Sequence, residues 1–204
     1  MRRWRLSLLP LVAAILAACD ASAGGTQSVV HGDPTRYLLG LDQLVSPDFT
    51  VVETARAVDA ATLAGGDATL KQQLLHDGFS AASRVRYFRQ ADLAIANGPI
   101  DVTSTVAILA TASGAHDWFR TLAAHLYRSA GKAPLSTGAL GDEAHADTLV
   151  RTTAGGISVV QVTLEWRVAN AVNVLVVRGR YGGTRLDDAL VLAHRVTVNE
   201  LPGM

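Results

Sequence analysis

ISVVQVTLEWRVANAVNVLVVRGRY, residues 157–181, is the stretch that decides the fold class. Two runs rich in Val, Ile and Leu, 157–168 and 171–181, flank Ala169-Asn170, which is the pattern of two antiparallel strands joined by a tight turn. Side chains alternate between the two faces of a strand, so the polar positions Gln161, Thr163, Glu165 and Arg167 leave Val160, Val162, Leu164 and Trp166 facing a core. On this reading Trp166 is a core residue, while Glu165 and Arg167 lie on the opposite face and tolerate alanine if that face is exposed. The opposite alternation places Val172, Val174 and Val176 beside Thr163, Glu165 and Arg167. That second face is then either covered by another segment or used for binding.

Working outward, Thr184 and Asp187 have capping-box spacing, and Leu186, Ala189, Leu190, Ala193 and Val196 recur as one face of a final helix. Asp187 and Asp188 lie at its positive end, and His194 and Arg195 lie toward its negative end. Upstream, Ser113 is placed to cap a helix with an apolar stripe of Ala115, Trp118, Phe119, Leu122, Ala123 and Leu126. Before it, Asn97-Gly98-Pro99 is turn chemistry, followed by an inner strand carrying Ile100, Val102, Val106 and Ile108 on one side. Val85 and Tyr87 alternate with Arg84, Arg86 and Phe88, which predicts a strand with a largely basic face. Asp67 can cap a short helix bearing Leu70 and Leu74, with Gly78 positioned for its left-handed C-terminal cap. Phe49 and Val51, alternating with Thr50, suggest a first short strand. The fold class is α+β, an antiparallel sheet of about five or six strands with helices covering one face.

The chain has 204 residues, about half of them apolar, which suits one globular domain. Eighteen acids balance eighteen Lys and Arg, but Arg2, Arg3 and Arg5 precede an apolar run over residues 6–18. Without that leader the remainder is mildly acidic, which argues against a general nucleic-acid binder. The run is too short to span a bilayer, which takes roughly 20 apolar residues, so a cleaved export signal over 1–18 is expected.

Leu16-Ala17-Ala18-Cys19 resembles the lipobox of bacterial lipoproteins. The resemblance implies cleavage before Cys19, a diacylglyceryl group on its sulfur and lipid anchoring at the extracytoplasmic face of the cell membrane. Asp20 resembles the inner-membrane retention signal of some of these proteins. Residues 19–36, rich in Gly, Ser and Thr, then read as the lipidated cysteine and a flexible tether, and 37–204 as the single α+β domain. Cys19 is the sole cysteine, so no disulfide is available to the domain. The segments 113–126, Leu140-Gly141-Asp142-Glu143-Ala144, the hairpin and the last helix resemble the α/β/α sandwich of PsbP-like proteins and lipoproteins of that shape. The resemblance implies protein binding or an assembly role.

No catalytic residue, cofactor site or metal site is expected. The densest set of metal-ligating types is Asp142, Glu143, His145 and Asp147. His145 and Asp147 can share a strand face, whereas Asp142 and Glu143 fall in the preceding turn and no zinc-ligand spacing is present. His116 and His125 fall on opposite faces of their helix. Gly-x-Ser-x-Gly and phosphate-loop motifs are absent from the sequence. Arg84, Arg86 and Arg89 could meet an anionic partner or solvent, and Trp118 and Phe119 could line a cavity or fill the core. The expected function is a lipid-anchored binding or accessory module for a protein or small apolar ligand. The alternative is a tethered hydrolase or metal-dependent enzyme with a non-contiguous site.

Overall fold

The computed structural model describes residues 29–127 and 131–200, without the side chains of residues 126 and 127. The leader, Cys19 and the first part of the expected tether lie outside the described residues, as does the Leu126 side chain.

Among the described residues, seven strands form one antiparallel sheet: β1 Phe49–Ala57, β2 Phe79–Arg89, β3 Asp101–Leu109, β4 Lys132–Leu135, β5 Glu143–Thr152, β6 Ser158–Val168 and β7 Ala171–Arg180. Their spatial order is β1-β2-β3-β7-β6-β5-β4. The sheet therefore has one more strand than the upper expectation. The addition is β4, whose four residues include Pro134. So short a strand, with a proline that cannot donate to a ladder, carries no alternation signal and is tolerated because it lies at the sheet edge.

The β6–β7 hairpin has the expected register, with Val168 opposite Ala171 and Trp166 opposite Asn173. Its turn takes an unusual form, because Ala169 has φ 50°, a left-handed conformation that disfavours a side chain. Two bonds hold it. Asp142 Oδ2 accepts from the Ala169 N–H at 2.8 Å, and Arg167 Nη1 donates to the Ala169 carbonyl at 2.7 Å. Asn170 fixes the other half of the turn, accepting from the Val30 N–H and donating to the carbonyls of Val30 and Leu109. Val30 is buried by this docking. Packed structure thus begins before Tyr37, where the sequence reading ended the tether.

Four helices, α1 Ala60–Leu63, α2 Ala68–His76, α3 Ala112–Tyr127 and α4 Leu186–Glu200, cover the sheet. Helices on both faces replace the expected one-face arrangement. One core joins Ala189, Leu192, Ala193 and Val196 of α4 to Val162, Leu164, Trp166, Leu175 and Val177, together with Leu38 and Leu39 from the N-terminal segment. The other joins Trp118, Phe119 and Leu122 of α3 and Leu70 and Leu74 of α2 to Ala82, Ala107 and Val172. Both faces of β6 and β7 are therefore inside, so the second face is covered along Glu165 and Arg167, which are buried.

Capping follows the expected chemistry with shifts. Asp67 accepts from the N–H groups of Thr69 and Leu70, and Gly78 has φ 88°. The α3 cap is Thr111, whose hydroxyl accepts from the Gly114 N–H, not Ser113, which lies inside the first turn. At α4, Asp188 reaches back to the Arg185 N–H, while the Thr184 hydroxyl donates to the Gly98 carbonyl.

Candidate binding cleft

The face of the sheet under α1, α2 and α3 is incompletely filled. A cleft of about 430 Å³ opens between β2, β3 and β7 below and the side chains Leu63, Trp118 and Leu122 above. Cross-strand register explains what lines it. Arg84 of β2 lies opposite Thr105 of β3, which lies opposite Val174 of β7. The next row is Arg86, Thr103 and Val176, and the row on the other side is Ala82, Ala107 and Val172. Each row puts its side chains on one face. The floor is thus aliphatic at β7, hydroxylated at β3 and basic at β2.

Three arginines border the cleft in different states. Arg86 makes a two-point contact with Asp101, Nη2 to Oδ2 at 2.6 Å and Nε to Oδ1 at 3.2 Å, and Glu53 lies 3.7 Å away. The Asp101 bond holds its guanidinium above the usual range. Arg178 donates to Gln161 at 2.8 Å and lies 3.6 Å from Asp101. Arg84 donates to the Thr105 hydroxyl at 3.1 Å, and among the described residues no carboxylate is within ion-pair distance of it. Burial and the neighbouring Arg56 pull it below the usual arginine range, with Glu53 opposing. A half-buried guanidinium with a neutral partner on an apolar floor favours an anion, since charge-assisted bonds strengthen where water is excluded. Arg89 does not join the cleft. It donates to the Asn97 carbonyl and lies over the Phe49 ring.

Trp118 is both a core and a lining residue, at once filling the second core and facing the cleft. Phe119 is core alone. The four candidate ligands near residue 145 divide into two groups. Glu143 accepts from Arg167 Nε at 2.7 Å and contacts His116 Nδ1 at 2.7 Å. Burial pushes the Glu143 carboxyl up, but its bonds to His116 and Arg167 outweigh burial and hold it below its ordinary range. Asp142 holds Arg167 and the hairpin turn. His145 and Asp147 instead point toward Glu165, which lies opposite His145 on β6. Lys132 of β4 donates to Asp147 Oδ2 at 2.7 Å, with both side chains buried.

The sequence reading weighed neither Glu165 nor Lys132 as a partner of this group. Lys132 is on β4, which carries no strand signal, and Glu165 lies on the neighbouring hairpin, whose second face the sequence leaves open. The available signal was the run of four polar alternates in a strand otherwise built of buried residues.

No family model matches the chain, and no curated protein matches it. Among solved structures, it is similar to the crystal structure of the extracellular domain of PknH from Mycobacterium tuberculosis. The TM-score is 0.57 at 13% identity, covering 83% of this chain and 98% of that one. At that identity the likeness establishes the fold. Among the described residues, no helix is long and apolar enough to cross a membrane.

Proposed function

We propose that this chain is an exported lipoprotein, anchored through Cys19 at the extracytoplasmic face, whose cleft binds a small molecule with an apolar body and an anionic group. The lipobox-like residues support the anchor, and the likeness in fold to an extracellular domain is compatible with export. The apolar floor and a volume within the range of small-molecule sites support the ligand class. The observation that carries the reading is Arg84, which among the described residues has no carboxylate within ion-pair distance and lies in one row with Thr105 and Val174. A binding role is favoured over catalysis because Glu53 is the carboxylate lining the cleft, and it is engaged by Arg56 and Arg86.

The test compares octanoate with octanamide by calorimetry on a soluble chain starting after Cys19. A charge-assisted bond is worth about 1.5–3 kcal/mol, so octanoate binds roughly tenfold or more tightly, and Arg84→Gln removes the difference. Equal affinity for the two ligands, or an unaltered preference in Arg84→Gln, contradicts the assignment.

A further inference from the structure

A second group of polar residues lies on the same face of the sheet, toward its β4 edge. The row that contains Arg84, Thr105 and Val174 continues through Glu165 of β6 to His145 of β5. At about 4.8 Å per strand, Glu165 is roughly 14 Å from Arg84, so this group is separate from the cleft's basic side.

Three potential ligand atoms, one each from His145, Asp147 and Glu165, lie within 4.8 Å of one another. Asp147 and Glu165 are fully buried. Oε1 of Glu165 and Oδ1 of Asp147 accept no hydrogen bond, and Oε2 of Glu165 has His145 as its ion-pair partner. Burying a carboxylate without such partners is costly, and native interiors rarely leave one so. His145 Nδ1 lies 3.5 Å from Glu165 Oε2. That is beyond the usual N–H···O range of about 2.7–3.2 Å. It matches the separation of about 3.4 Å between two ligands each about 2.1 Å from one tetrahedral ion.

We propose that His145, Asp147 and Glu165 bind one divalent transition-metal cation of the zinc class. The donor set of one imidazole and two carboxylates suits such an ion. Calcium would need six to eight oxygens, more than these three residues supply. Asp147 offers Oδ1, because Lys132 occupies Oδ2 and acts as the supporting group that orients the ligand. An imidazole bound to the ion is neutral, so the four side chains then sum to one negative charge, which a divalent cation more than offsets. His145 is partly exposed, giving the ion an approach and leaving room for a water ligand. No ligand-spacing motif marks this group because two ligands come from one strand and the third from its neighbour, eighteen residues beyond Asp147.

The test uses the purified full chain in neutral detergent, stripped with chelator and titrated with Zn²⁺ by calorimetry and with Co²⁺ by visible absorption. One ion binds per chain, Co²⁺ gives the d–d bands of a low-coordinate N/O site, and Zn²⁺ at about 100-fold its Kd raises Tm by roughly 5–10 °C. Glu165→Gln keeps side-chain volume and abolishes both the bands and the rise, as does His145→Gln. His116→Ala retains both. Absence of saturable binding to a folded chain, or binding unaltered in Glu165→Gln and His145→Gln, overturns the proposal. A wild-type chain in which the His145 imidazolium alone balances Glu165 gives the first of these results.

Discussion

Replacing Trp166 with alanine tests the core that α4 builds on the hairpin. Trp166 is 1% exposed, lies opposite Ala144 on β5 and Asn173 on β7, and shares its core with Leu164, Leu175 and Leu192. A buried tryptophan removes roughly 200 Å² from water, which at about 25 cal/mol per Å² corresponds to about 5 kcal/mol as an upper bound. One term opposes this, because the indole Nε1 has no hydrogen-bond partner and deleting it relieves about 1 kcal/mol or more of unsatisfied desolvation. The cavity left by the indole adds to the loss, and the net expectation for Trp166→Ala is a cost of about 3–5 kcal/mol. Trp166→Phe, which keeps most of the area and removes the orphan N–H, should cost clearly less. Urea unfolding followed by circular dichroism measures both. A midpoint unchanged in Trp166→Ala would refute the core assignment, and an equal loss in both variants would refute the account of Nε1.

Glu200 supplies a pH prediction. Burial raises its pKa to about 8, although the Asn173 amide donating to both oxygens opposes the shift. Because the folded value exceeds the unfolded one, its stabilising contribution is complete below about pH 4.5 and is lost as pH rises through about 8. Subtracting Glu200→Gln from wild type should therefore show a decline across that window, and a flat difference would count against it. Gly141 has φ 61°, and a Cβ there would collide with the Arg167 carbonyl oxygen. Gly141→Ala is accordingly expected to lower stability by at least about 1–3 kcal/mol in chemical denaturation, whereas Gly156→Ala, with open space around it, should cost less. Cys19→Ala should prevent lipid attachment and leave an uncleaved precursor or a soluble chain. An unmodified Cys19 found by mass spectrometry in mature, membrane-bound protein would contradict the anchor.

Local signals made much of the frame legible. The period-two hairpin, the Asp67 cap, Gly78 and the apolar stripe of α3 from Ala115 to Leu122 all depend on neighbours in sequence, and each appears at the expected residues. What escaped the sequence depends on packing between distant segments. Hydrophobic alternation on 158–168 left the second face open between a covering segment and a binding role, and α3, a helix some forty residues away, encloses Glu165 and Arg167 there. β4 was invisible because four residues with an internal proline have no period to read. The cleft was legible only in parts: Arg84 and Arg86 as a basic face and Trp118 as a candidate lining residue. Their convergence needs β3 to pair with β7 across more than sixty residues of chain.

On the proposed function, the space over β2, β3 and β7 receives an anionic amphiphile. Methyl-resolved NMR of the soluble chain during an octanoate titration addresses it directly. The account predicts saturable shifts confined to Leu63, Leu122, Val172, Val174 and Val176, lost in Arg84→Gln. Shifts concentrated instead on Leu164, Leu175 and Leu192 beneath α4, or no shifts at saturating octanoate, would contradict it.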